Sequence, residues 1–139
     1  MKQSNEEYQN FEEMLKVYHQ NIQILHRHLI GTNWFGDHEQ LGDYYDKVQS
    51  DLDTVAELGL AIGIEKPTIA ESLKHYDELE IKDRNADESY TIVKGYFDDI
   101  VAQINRIADV PADVTNKLQE IQESYRLESG FKLYRELIK

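Results

Sequence analysis

Between two helical halves the chain reads Ile64-Glu65-Lys66-Pro67-Thr68-Ile69-Ala70-Glu71-Ser72-Leu73-Lys74-His75-Tyr76-Asp77-Glu78-Leu79-Glu80-Ile81-Lys82-Asp83-Arg84-Asn85-Ala86-Asp87-Glu88-Ser89. The stretch holds Pro67, one of 2 prolines in the protein, has room for one short amphipathic turn from Ile69 to Tyr76, and closes in a polar run from Lys82 to Glu88. A connection this long does not make a tight hairpin between neighbouring helices; it crosses the molecule.

Outward from that stretch the hydrophobic period is helical on both sides. Upstream, Phe11, Met14, Leu15, Tyr18, Ile22, Leu25 and Leu29 form one stripe. Gly31-Thr32-Asn33 ends it, and Gly36-Asp37 reads as the cap of the next helix. The second stripe is Leu41, Tyr45, Val48, Leu52, Val55, Gly59 and Ile62, with Gly63 placed to stop it. Downstream, Tyr90, Val93, Phe97, Ile100, Ile104 and Ile107 form the cleanest stripe. Pro111 marks the start of a last helix through Val114, Leu118, Ile121 and Tyr125, continuing to Phe131, Tyr134 and Ile138. No strand pattern competes, and no internal repeat is present. Two short connections and one long crossover make residues 1–139 a single all-α domain. Its expected architecture is a ferritin-like four-helix bundle, with a short helix in the crossover between the second and third helices.

Composition narrows the function. With 40% hydrophobic and 30% charged residues the chain has material for a core and a solvated surface. The net charge of -12 repels a phosphate backbone, so nucleic-acid binding through a basic face is a poor starting hypothesis. No run approaches the ~18 apolar residues of a membrane span. The absence of cysteine removes disulfides, thiolate metal sites and thiol chemistry. Met1-Lys2-Gln3-Ser4-Asn5-Glu6-Glu7 reads as neither a targeting segment nor a basic arm, and the absence of cysteine fits a cytoplasmic expectation.

The Glu-x-x-His pairs of di-iron bundles are missing. In their place stand His26 and His38, then Asp53 and Glu57 one helical turn apart. Imidazoles with carboxylates suit iron, manganese or zinc. On an ideal helix Asp53 points about 140° and Glu57 about 180° from the centre of the second apolar stripe, while His26 lies about 70° from the centre of the first. The two carboxylates share a face that does not fill the subunit's own bundle. One subunit does not easily collect all four groups, whereas a two-fold interface would build two equivalent sites from halves. A solvated helix surface also carries such acids, so spacing alone leaves both readings open.

The segment from His26 to Gly63 resembles the Dps family of mini-ferritins. Its first motif reads His26-Arg27-His28-Leu29-Ile30-Gly31-Thr32-Asn33-Trp34-Phe35-Gly36-Asp37-His38-Glu39. The second reads Asp53-Thr54-Val55-Ala56-Glu57-Leu58-Gly59-Leu60-Ala61-Ile62-Gly63. Similarity is looser at Pro67 and at Asp113-Val114-Thr115-Asn116. The resemblance implies a hollow homo-dodecamer that oxidises ferrous iron, preferably with hydrogen peroxide, and stores the ferric mineral against oxidative stress. His26 and His38 would come from one subunit and Asp53 and Glu57 from its partner, all four as iron ligands and ferroxidase residues. Asp109 and Asp113 would line an acidic pore. DNA compaction, which in the family depends on lysine-rich tails, is not expected of this acidic chain.

The pattern departs from the family at four places. Gly42 stands where many members carry a ligand Asp, Arg27 where an aromatic follows the first histidine, Leu58 where an Arg follows the Glu, and Phe131 at a late-helix Trp position. These departures support an alternative, a non-catalytic Dps-like assembly whose eroded site leaves a scaffold or partner-binding shell. Asp37 and His28 are near enough in sequence to substitute as ligands. His19 and His75, without partners at ligand spacing, read as surface residues, and the 9 tyrosines mostly as core and interface filling.

Overall fold

Burial of apolar faces assembles four long helices and two short ones. The computed structural model describes residues 2–138, with side chains from residue 6. The terminal lysines Lys2 and Lys139, on which the reading of absent basic tails partly rests, lie outside the described side chains. In chain order the elements are α1 (Lys2–Arg27), α2 (Trp34–Ala61), α3 (Ile69–His75), α4 (Ala86–Arg106), α5 (Ala112–Leu127), a π-helical turn (Glu128–Leu133) and α6 (Tyr134–Leu137). No strand forms among the described residues beyond an isolated bridge between Leu29 and Arg84. The architecture is the all-α bundle with a crossover helix that the patterning implies.

α1 is more enclosed than its single stripe suggests. Besides Phe11, Leu15, Ile22 and Leu25, the structure buries Tyr8, Glu12, Glu13, Val17, Asn21 and Ile24. The reason is that α2, α3 and α4 all pack on it. The crossover runs along α1 and is pinned at several points. Buried Asn21 donates to the Asp77 carbonyl at 3.0 Å and accepts from the Leu79 amide at 2.9 Å. Lys16 donates to the Pro67 carbonyl, and Arg84 exchanges backbone bonds with His28 and Ile30. Thr68 caps α3 by accepting from the Glu71 amide, and Asn85 caps α4 by accepting from the Glu88 amide at 2.9 Å.

One helix boundary and the phase of one stripe differ from the sequence reading. α2 begins at Trp34 with Asn33 in the cap position, so Gly36-Asp37 lies inside its first turn. At the other end Gly63 takes φ +81°. The amides of Gly63 and Ile64 bond the carbonyls of Leu60 and Gly59, which is the expected glycine stop. The last stripe also changes phase. Val114, Leu118, Ile121 and Tyr125 are buried as read, but the π-turn then brings Ser129 and Leu133 inward. Phe131, Tyr134 and Ile138 are left exposed by the added residue in that turn.

Candidate metal centre

His26 sits in the last turn of α1 and His38 in the second turn of α2. The short link between them is held by Trp34, whose Nε1 donates to the Leu29 carbonyl at 2.9 Å. This turn lays the two imidazoles face to face, with ring centres 3.8 Å apart and planes inclined by 19°. Trp34, four residues before His38 and therefore on the same helix face, stacks on its other side at 4.2 Å. His38 Nδ1 lies 3.0 Å from the His26 carbonyl oxygen. A carbonyl only accepts, so Nδ1 carries the proton and Nε2 of the neutral ring keeps its lone pair. Burial, then the neighbouring His38, push the His26 imidazole below its usual range against the opposing pull of Asp46. The neutral ring is the form that binds a metal ion.

Gly42 lies directly over His26. A Cβ there would stand 3.1 Å from His26 Nε2, so the missing side chain leaves that nitrogen uncovered on the α2 side. Asp53 and Glu57 are exposed on α2, one turn apart. Among the described residues no three His, Asp or Glu side chains converge on a metal-sized point, so these carboxylates do not join the histidine pair within one chain. Asp109 and Asp113 flank the start of α5, both exposed, with Asp109 at φ 56°. The neighbouring Lys117 turns toward Glu120 at 3.3 Å.

Several side chains fall differently from their sequence reading. His19 is not a surface residue: its ring stacks on Tyr45 at 4.2 Å, and its Nε2 is buried without a hydrogen-bond partner. His75 is exposed as read, yet its Nδ1 meets Glu13 at 2.7 Å. The two possible substitute ligands are engaged elsewhere. His28 faces Asp83 of the crossover at 3.6 Å, and Asp37 accepts from the Tyr90 hydroxyl at 2.7 Å. Leu58 packs against the core. Sequence reasoning missed Asp46, whose charge reaches both His26 and His19. Its position one turn beyond Gly42 on the same face was the available signal.

Two solved structures share this geometry of helices and crossover. Dps from Staphylococcus aureus is 19% identical, with 99% of this chain and 96% of that chain covered and a TM-score of 0.86. The chain has the Dps fold. The antigen TpF1 from Treponema pallidum carries it as well, at 21% identity, 91% and 90% coverage and a TM-score of 0.69. No family model and no curated protein matches the sequence. At these identities the likeness to Dps is one of fold, and the chemistry rests on the residues. Among the described residues no helix is long and apolar enough to cross a membrane.

Proposed function

We propose that the chain is the subunit of a Dps-type mini-ferritin, a homo-oligomer, by its likeness a dodecamer, that takes ferrous iron as substrate and oxidises it with hydrogen peroxide. The observation that carries this reading is the stacked pair His26 and His38, with His38 Nδ1 bonded to the His26 carbonyl. That bond orients the ring and frees Nε2 for a metal ion, as a ligand imidazole requires. Asp53 and Glu57, exposed on the outer face of α2, supply the carboxylate half from a neighbouring copy. Two ferrous ions held together give one electron each to one peroxide. Its O–O bond breaks, and with two protons two water molecules form, so no hydroxyl radical is released. Hydrolysed ferric ions then collect as mineral inside the shell, and Asp109 and Asp113 line the acidic route inward. The work belongs in the cytoplasm, in defence against peroxide and excess iron.

The test is anaerobic ferrous loading followed by peroxide, reading ferric absorbance for the wild type and His38→Ala in parallel. A fast rise in the wild type that is lost in the variant supports the reading. Equal slow traces overturn it.

A second reading is favoured by Gly42, which presents no ligand to His26. In it the same assembly has an eroded site and serves as a scaffold or partner-binding shell. Calorimetric titration with ferrous iron separates the two, because a few tight sites per pair of subunits contradict erosion.

A further inference from the structure

At the far end of the α1–α2 seam from His26 lies Glu12, fully buried, with neither carboxyl oxygen hydrogen-bonded. α2 meets it with Gly59, where a Cβ would stand 2.7 Å from Glu12 Oε1 and 2.8 Å from the Tyr8 ring. Tyr8 closes the same point by donating to the Val55 carbonyl at 2.6 Å. The ionisable groups facing the carboxyl are Tyr8 and Lys16 on α1 and Lys66 at the start of the crossover, while α2 contributes Gly59. The ammonium groups of Lys16 and Lys66 repel each other, an anion at Glu12 attracts both, and the neighbouring Glu13 also attracts Lys16. Neither is bonded to it, since Lys16 Nζ instead donates to the Pro67 carbonyl at 2.5 Å.

A buried carboxyl without partners is tolerated as the neutral acid and costs several kcal/mol as an anion unless a counter-charge reaches it. We infer that Glu12 is a proton-operated latch on the crossover. With the proton in place, Lys16 stays on Pro67 and holds the segment 65–68 against α1. When the proton leaves to solvent, the carboxylate draws the Lys16 ammonium off that carbonyl and the segment is freed at Pro67, left with the 3.2 Å bond from Gln9 Nε2 to the Glu65 carbonyl as its tie to α1. Burial holds the Glu12 carboxyl up at about 7, against the opposing pull of the two lysines, so the change falls around neutral pH. The released segment borders a cleft of about 540 Å³ walled by Glu13, Glu65 and His75, which gives it room to move. It also leads directly into α3, whose Ile69 and Leu73 are exposed.

The test is amide hydrogen exchange of the full chain at pH 6 and pH 8, corrected for the intrinsic rate. The amides read are those of Ile64, bonded to Gly59 just before the segment, and of Glu71 and Ser72, both bonded to Thr68 at its end. Wild-type protection there is expected to fall roughly tenfold between the two conditions. Glu12→Gln keeps the high protection at both, and Lys16→Met is low at both. His75 lines the same cleft and bonds Glu13, so His75→Gln must keep the wild-type response. A wild type with no change, or a Glu12→Gln variant that changes as the wild type does, overturns the latch. An independent reading is the infrared carbonyl band of a neutral buried acid, present in the wild type at pH 6, lost by pH 8 and missing in Glu12→Gln. Its absence at pH 6 equally defeats the inference. Neither measurement involves iron, so the latch and the iron reading fail separately.

Discussion

α4 and the α1–α2 seam are built on opposite plans. α4 turns Tyr90, Val93, Phe97, Ile100 and Ile104 inward, all buried, and Phe97 meets the rings of Tyr44 and Tyr125 edge-on at 5.2 and 4.8 Å. The seam instead presents Glu12, His19 and His26 at seven-residue intervals along α1. α2 answers them with Gly59, the Tyr45 ring and Gly42. On the first plan each side chain gains from leaving water; on the second each one costs stability and is kept at a defined place. The inward face of α4 is thus filled by rings and aliphatic side chains, whereas Glu12, His19 and His26 are set between α1 and α2.

The sharpest way to break this contrast is Phe97→Ala. Removing a fully buried ring from the α4 side is expected to cost about 3–5 kcal/mol, measured by urea unfolding. The seam should respond with the opposite sign. The Glu12 carboxyl is held at about 7 against an ordinary 4.5, so the folded state keeps a proton that the unfolded chain releases. Stability on this account is full below pH 4.5, declines as pH rises through about 7, and levels off above it. Glu12→Gln should thus be more stable than wild type at pH 8, by about 3 kcal/mol at most, and should lose the advantage near pH 4.5. Gly59→Ala tests the space itself. Its methyl would press on Glu12 and Tyr8, and a loss of about 1–3 kcal/mol by thermal unfolding is expected. The smallest effect lies outside both regions. Asn85→Ala removes the α4 cap at a cost of about 1 kcal/mol without altering the pH profile of stability.

The same contrast explains what was legible beforehand. α4 has one buried face and one wet one, so its stripe could be read directly from the period, and so could the first turns of α5. α1 is covered on several sides, and a helix buried almost all round has no stripe that marks its full extent. The π-turn leaves no local mark, because Glu128 to Leu133 would serve equally well as α-helix. The spacing of His26 and His38 brought them to notice together, but their stacking depends on Trp34 and on the turn that Arg84 pins from the crossover. Glu12 was hidden for a simpler reason. Beside Glu13 on a charged chain it looks like surface, and only the packing of Gly59 against it shows otherwise.

The π-turn has a bearing on how this chain should be matched to its relatives. Tyr125, Ser129, Leu133 and Leu137 turn inward at intervals of four residues, slightly longer than the natural repeat of an α-helix. The segment therefore contains one surplus residue. A relative one residue shorter at Gly130 would bury the same side chains in an unbroken helix. Alignment with such a relative needs a gap there, and equivalences near Phe131 shift by one position according to the side on which the gap is opened.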